Sequence, residues 1–176
     1  MVREDYTPAG RIAAHDVAAV LAFLKTVPGL DLTRVILAGQ SAGGFASLAL
    51  LGTEVEGVRV RCVLNFAGGK GAQWLSRGAP YTDGIVHAAA AYGATARIPS
   101  LWIYADNDRW FAPPLVTRML AAYQGAGAPA EFERVPAFGT DGHALFAAEA
   151  QRSWTAAAER FLAKEGFADV APDKTE

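Results

Sequence analysis

The chain is poor in cysteine and has no run of like charges. Cys62 is its only cysteine, which excludes an internal disulfide and a cysteine-based metal site. It lies in the apolar run VRVRCVLNFAGG, where a small buried hydrophobic residue is a better interpretation than a nucleophile. The formal net charge of −2 comes from scattered acids and bases. We therefore expect a small molecule as the partner, and neither a nucleic acid nor an anionic membrane surface.

Long apolar runs are also lacking. No stretch is long enough to span a bilayer, and the first ten residues, MVREDYTPAG, have no apolar core of a secretory signal. A cytoplasmic location is the default expectation, although a missing amino-terminal part could hide an export signal. At 176 residues, with 52% hydrophobic and 19% charged, the chain is expected to form a single globular domain over residues 1–176.

Short apolar strands alternate with helical patterns along the chain. Strands are predicted over 34–39, 58–66, 100–105 and 131–135. Helices are predicted over 12–27, 43–52 and 113–123, and a last helix turns Trp154 and Phe161 inward together with Leu145. This alternation predicts an α/β fold with a mostly parallel sheet covered by helices on both faces.

Two segments do not fit the alternation. The connection 70–97 holds Trp74, Tyr81 and Tyr92 and one short helix, and we interpret it as a cap or lid. The polar tail 167–176 is expected to fray.

The segment Gly39-Gln40-Ser41-Ala42-Gly43 matches the G-x-S-x-G nucleophile elbow. In this sharp turn between a strand and a helix, a serine takes a strained backbone and lifts its hydroxyl above the sheet. The glycines on both sides are expected to be needed because side chains there would collide with the neighbouring strand and helix. A phosphate cradle is the weaker interpretation, since neither G-x-G-x-x-G nor a P-loop lysine is present.

A serine hydroxyl needs a base and an acid that orients the base. His143 lies in the loop TDGH directly after a predicted strand and suits the first role, whereas His15 and His87 are expected to be structural or solvated. Asp106 and Asp108 both leave the third strand in one loop. We favour Asp108 as the orienting acid and expect Asp106 to brace the turn through its own backbone amides. Asp141 is a weaker candidate that is better suited to brace the loop of His143.

These motifs together resemble the α/β-hydrolases, and more narrowly the esterases of dienelactone-hydrolase type. The resemblance rests on GQSAGG around Ser41, on NFAGG at 65–69, on PSLWIYADND at 99–108 and on DGH at 141–143, in the family's order. It implies a serine hydrolase that cleaves a carboxylic ester or lactone through an acyl-enzyme, without metal or cofactor. Thioesters and amides stay open as substrates.

The resemblance also implies roles for further residues. The amide of Ala42 would supply one half of the oxyanion hole. Trp110, Phe111 and Phe138 would wall an apolar substrate pocket.

The chain departs from the family at its amino terminus. The resemblance covers strands five to eight of that fold, which implies that the family's first four strands and the loop with the second oxyanion donor are not expected in this sequence. We therefore expect either a truncated form of a larger enzyme or an obligate association. In the second case the strand segment 35–39 would be an exposed sheet edge through which the chain forms a homo-oligomer. A catalytically inactive association module is the alternative function.

Overall fold

A computed structural model describes residues 5–71 and 79–167, and for 79–81 the backbone alone. Helices and strands alternate through these residues. In chain order they are α1 (Thr7–Leu24), β1 (Val35–Gln40), α2 (Ala42–Leu50), β2 (Val60–Phe66), α3 (Ala79–Gly93), β3 (Ser100–Ala105), α4 (Pro113–Gly125), β4 (Ala130–Val135) and α5 (Gln151–Lys164). Two short 3₁₀ turns, Gly142–Ala144 and Ala148–Ala150, lie between β4 and α5.

The four strands form one sheet in the order β1-β2-β3-β4, and every neighbouring pair is parallel. The predicted parallel sheet with intervening helices is confirmed. Helix α1 packs on α2, α3 packs on α4, and α5 contacts β3 and β4. Because all strands run in one direction, their carboxyl ends share one edge of the sheet, and the loops that follow β1, β3 and β4 meet there.

The two central strands carry the core. Every residue of β3 and the last five residues of β2 are buried. Cys62 is fully buried in β2, and Trp102 of β3 packs on Tyr123 of α4 with ring centroids 5.2 Å apart. Central strands that read as continuous apolar runs are typical of parallel sheets covered by helices.

The two edge strands of the sheet, β1 and β4, differ in burial and in the charges they carry. In β1, Val35, Ile36 and Leu37 are only half-buried and Ala38 is exposed, so the prediction of a fully buried strand is wrong. The reason is its position at an edge, with β2 on one side. The opposite edge, β4, carries three charged residues that form ion pairs: Glu131 with Lys164, Glu133 with Arg160, and Arg134 with Asp106.

Some helix boundaries differ from those predicted. Helix α1 begins at Thr7 rather than at residue 12, because a proline is well tolerated in the first helical turn and Pro8 does not interrupt it. None of the described helices is long and apolar enough to cross a membrane.

The connection 70–97 is the region where the prediction from the sequence differs most from the structure. It contains the 15-residue helix α3 rather than a short one, and Ile85, Ala88 and Tyr92 of this helix are buried in the core. Trp74, the side chain of Tyr81 and residues 72–78 lie outside the described residues, so the predicted cap stays a prediction there.

Most of the predicted frayed tail also lies outside the described residues, over 168–176. Phe167, the residue before them, is buried rather than frayed. The guanidinium of Arg34 lies 5.0 Å from its ring centroid and donates a hydrogen bond to the carbonyl of Gly166.

Candidate active site

Ser41 occupies a strained backbone conformation at the junction of β1 and α2. Its φ of 53° and ψ of −120° lie in a region that residues with a side chain rarely adopt. Such a conformation costs about 1–3 kcal/mol and persists only where neighbouring contacts hold it. The amide of Ser41 donates to the carbonyl of Phe66, and its carbonyl accepts from the amides of Phe45 and Gly69, each at 3.0 Å. The elbow is thus hydrogen-bonded to the end of β2 and to the loop that follows it.

Close packing explains two glycines of the elbow but not the third. A Cβ on Gly39 would lie 2.5 Å from the carbonyl carbon of Gly43, and a Cβ on Gly44 would lie 2.3 Å from Oδ1 of Asn65. A Cβ on Gly43 would meet nothing within 4 Å. The expectation that Gly43 avoids a collision is therefore wrong. The crowded position is Gly44, since α2 turns that residue toward β2.

The loop that donates to Ser41 is supported by a buried polar network. Asn65 is fully buried, and its Nδ2 donates to the hydroxyl of Tyr104 at 3.4 Å. This hydroxyl in turn donates to the carbonyl of Gly68 at 2.7 Å, and burial raises the pKa of Tyr104 well above its usual range. The network therefore ties the loop after β2 to β3.

Asp108 and His143 are brought together by the loops after β3 and β4. Oδ2 of Asp108 lies 3.2 Å from Nδ1 of His143, and the Asp108 side chain is fully shielded from solvent. Oδ1 of the same carboxylate accepts hydrogen bonds from the amides of Trp110 and Phe111 at 2.8 and 2.9 Å. A carboxylate can only accept, so Nδ1–H of the imidazole is the donor in this contact, and in a neutral imidazole the lone pair then lies on Nε2.

The other two acids of these loops have different partners. Asp106 pairs with Arg134 at the exposed edge of β4. The expectation that Asp106 braces the turn through backbone amides is wrong, because Asp108 accepts those amide bonds. Oδ1 of Asp141 accepts from the amides of His143 and Arg109, each at 3.0 Å, so Asp141 joins the loop of His143 to the loop of Asp108.

Ser41 and His143 are connected through Gln40. Nε2 of Gln40 donates to the backbone carbonyl of His143 at 2.5 Å. Within residues 5–71 and 79–167, no hydrogen bond joins the hydroxyl of Ser41 to the imidazole. Catalytic hydrogen bonds are often longer or poorly aligned before a substrate is bound. The sequence motif marks Gln40 only as a spacer of the elbow, so its contact with the histidine loop could not be read from it.

Ala42 begins α2 directly after Ser41 and is exposed. The first amides of a helix have no acceptor within the helix, and the helix dipole favours negative charge beside them. The amide of Ala42 is thus suited to donate a hydrogen bond to an anion that lies beside the Ser41 side chain.

Aromatic rings surround His143. The ring of Trp110 is 5.5 Å and that of Phe111 5.6 Å from the imidazole, centroid to centroid. Phe111 is buried, whereas Trp110 is partly exposed. Phe138 is partly buried, and its amide donates to Oδ1 of Asn107.

One aromatic residue near the elbow was not predicted. Phe146 is 41% exposed and packs on Phe66, with centroids 4.6 Å apart. Its position three residues after His143 was the available signal, because a short turn keeps both residues at the same edge of the sheet.

The remaining histidines lie away from this arrangement. His15 and His87 are exposed on α1 and α3. In the described part of the chain, no three His, Cys, Asp or Glu side chains are grouped so that they could hold a metal ion.

Comparison with known proteins identifies the architecture. No protein-family model and no curated protein matches the chain. Solved structures do match, among them a puromycin-hydrolysing peptidase from Mycobacterium tuberculosis, with 17% identity, a TM-score of 0.61 and 88% of this chain covered. Others are a protein assigned as a dienelactone hydrolase from Klebsiella pneumoniae (19% identity, TM-score 0.58, 86% covered) and an esterase from Pyrococcus furiosus (15%, 0.60, 86%).

The chain has the α/β-hydrolase fold. It spans 26% of the length of the peptidase, 59% of the dienelactone hydrolase and 60% of the esterase. In an α/β-hydrolase fold the nucleophile, the acid and the histidine follow one another in this order along the chain. Ser41, Asp108 and His143 have this order here.

Proposed function

We propose that the chain is a serine hydrolase that cleaves a carboxylic ester or lactone through an acyl-enzyme. The observation that carries the proposal is the contact between Asp108 and His143 at the sheet edge where the strained Ser41 lies. A buried carboxylate that holds Nδ1 of an imidazole leaves Nε2 available as a general base. Solved structures of the same fold include an esterase and peptidases, which is consistent with acyl transfer.

In the proposed reaction, Oγ of Ser41 attacks the carbonyl carbon of the substrate while Nε2 of His143 takes the hydroxyl proton. The carbonyl oxygen becomes an oxyanion, which accepts a hydrogen bond from the amide of Ala42. When the tetrahedral intermediate collapses, the bond to the leaving oxygen breaks and His143 gives its proton to that oxygen. Water then attacks the acyl-enzyme by the same steps and releases the acid and free Ser41.

The surroundings of His143 favour an apolar substrate. Trp110 and Phe146 present partly exposed rings on this side of the molecule. Such rings suit an acyl or alcohol group without charge. We rank an ester first, then a thioester, a lactone and an amide.

Hydrolysis of p-nitrophenyl esters of short and long acids tests the proposal. Ser41→Ala and His143→Asn are each expected to lower kcat by at least about a thousandfold. His87→Gln is the matched control, since this histidine is exposed on α3, and its kcat is expected to equal that of the wild type. A folded wild-type protein that hydrolyses none of these esters and no lactone would refute the proposal.

Association through the edge of β1 is a second candidate function, and it does not require catalysis. The observation in its favour is the contrast between the two edge strands. The six residues VILAGQ of β1 carry no charge, whereas β4 has a row of charged residues that protects an edge from pairing. Helix α1 also exposes Ile12, Val20 and Phe23. We propose that a second copy of the chain pairs with β1 about a twofold axis.

Light scattering as a function of concentration tests this association. The wild type is expected to form dimers, and Ala38→Lys is expected to shift the protein toward monomers because it puts a charge on the exposed edge. Ala121→Lys, at an exposed position of α4, is the control and should leave the dimers intact. A wild type that stays monomeric at all concentrations would contradict the proposal.

A further inference from the structure

His143 is held by three polar contacts, two of which come from distant parts of the chain. Its amide donates to Oδ1 of Asp141 at 3.0 Å, its ring Nδ1 faces Oδ2 of Asp108 at 3.2 Å, and its carbonyl accepts from Nε2 of Gln40 at 2.5 Å. Asp141 belongs to the same loop as His143, and Asp108 belongs to the loop after β3. Of the three contacts, the one from Gln40 joins His143 to the strand that carries the elbow.

Gln40 has a fixed relation to Ser41. It is the last residue of β1 and pairs with Phe66 of β2, whose carbonyl also accepts the amide of Ser41 at 3.0 Å. The Gln40 side chain is half-buried, and its acceptor is a carbonyl oxygen. Only the amide nitrogen can donate to that oxygen, so the hydrogen bond determines the orientation of the side chain. A short connection through one side-chain hydrogen bond therefore runs from the backbone of Ser41 to the backbone of His143.

We propose that Gln40 is a positioning residue that sets the place of the His143 ring relative to the hydroxyl of Ser41. This inference rests on the proposed hydrolase function. Asp108 orients the ring about its own axis, but it does not determine how far the turn Gly142–Ala144 lies from β1. Gln40 determines that separation. In a reaction that requires near-contact geometry, a misplacement of about 1 Å can cost about a hundredfold in rate.

A purely structural hydrogen bond would have different consequences. It would affect the stability of the fold but not the imidazole itself, and a comparable bond elsewhere would behave in the same way. The chain offers such a bond, because Nε2 of Gln124 on α4 donates to the backbone carbonyl of Ala130 at 2.9 Å. Gln40→Met and Gln124→Met each keep the length of the side chain and remove its donor, so they form a matched pair.

The test combines ester hydrolysis with nuclear magnetic resonance of the imidazole. Gln40→Met is expected to lower kcat by about tenfold to a hundredfold with KM changed by less than about threefold. It is also expected to shift or broaden the Nδ1–H signal of His143, which is assigned by its loss in His143→Asn. Gln124→Met should leave kcat and the signal as in the wild type. Gln40→Asn, one methylene too short to reach the carbonyl, should behave as Gln40→Met and replaces it if the methionine variant does not fold.

The two proposals fail in different ways. Wild-type values of kcat and an unchanged Nδ1–H signal in Gln40→Met would overturn the positioning role while the hydrolase stands. If the wild type hydrolyses no ester but Gln40→Met alters the Nδ1–H signal, the positioning of His143 is supported while the hydrolase proposal fails. Equal changes in Gln40→Met and Gln124→Met would also overturn the positioning role.

Discussion

Oδ2 of Asp108 lies 3.2 Å from Nδ1 of His143, although 35 residues separate them in the chain. The adjacent strands β3 and β4 bring their exit loops together, and the other oxygen of the carboxylate is held by two backbone amides. Asp106, two residues earlier, instead faces the solvent and pairs with Arg134. Two acids of one turn thus lie in different environments. Asp108 is buried beside the imidazole, and Asp106 is exposed at the edge of the sheet.

Substitution of these two acids is expected to separate their roles. Asp108→Asn would turn an amide toward Nδ1 of His143 and favour the wrong tautomer, so kcat for ester hydrolysis should fall by about four orders of magnitude. Asp106→Asn removes an exposed ion pair, and kcat should stay within about threefold of the wild type. Equal losses in the two variants would show that Asp108 has no special relation to the imidazole.

The glycines of the elbow are expected to respond in opposite directions. Gly44→Ala would place a Cβ 2.3 Å from Oδ1 of Asn65 and 2.8 Å from the carbonyl oxygen of Gly39, which should lower the free energy of unfolding by about 1–3 kcal/mol. Gly43→Ala meets nothing within 4 Å and should raise it by about 0.5 kcal/mol, because alanine favours a helix. Urea denaturation of the two variants measures both effects. A Gly44→Ala variant as stable as Gly43→Ala would contradict the packing described here.

The hydroxyl of Tyr104 is expected to stabilise the loop behind the elbow. Tyr104→Phe removes the donor to the carbonyl of Gly68 and the acceptor of Nδ2 of Asn65, and both groups are buried. Two unpaired buried groups should lower the free energy of unfolding by about 1–3 kcal/mol. Thermal or urea denaturation provides the measurement, and a variant within about 0.3 kcal/mol of the wild type would show that the network contributes little.

Cys62 is expected to be unreactive in the folded protein. It is fully buried, and desolvation raises the pKa of its thiol to about 11, so the thiol stays protonated at neutral pH. Alkylation by iodoacetamide should therefore be much slower in the folded protein than in urea. Because Cys62 is the only cysteine, the mass of the intact protein reports the reaction directly. Equal rates in the folded and unfolded protein would contradict its burial.

The sequence predicted the sheet well where the apolar pattern was strong. The run SLWIYA predicted β3 with the observed limits, Ser100–Ala105, because a short apolar and aromatic run is typical of a buried strand. It also predicted which loops carry Ser41, Asp108 and His143, because these follow directly from the ends of parallel strands. The length of α3 was missed, since Gly84 argues against a helix interior and only tertiary packing overrides it.

The contacts between the loops could not be predicted in the same way. The hydrogen bond from Gln40 to His143 and the crowding at Gly44 depend on strand register and on the height of each loop above the sheet. A single sequence contains no signal for either quantity. The same holds for the partners of Asp106 and Asp108, which lie two residues apart. Backbone amides were expected on Asp106, and the structure places them on Asp108.

Labelling with a fluorophosphonate, followed by mass spectrometry of the peptides, tests the central claim most directly. If Ser41 is a nucleophile activated by His143 and oriented by Asp108, the folded wild type should be modified at Ser41 alone. Ser41→Ala should then not react, and His143→Asn should react far more slowly. A folded wild-type protein that stays unlabelled, or that is labelled at another residue with equal rates in all three proteins, would contradict the claim.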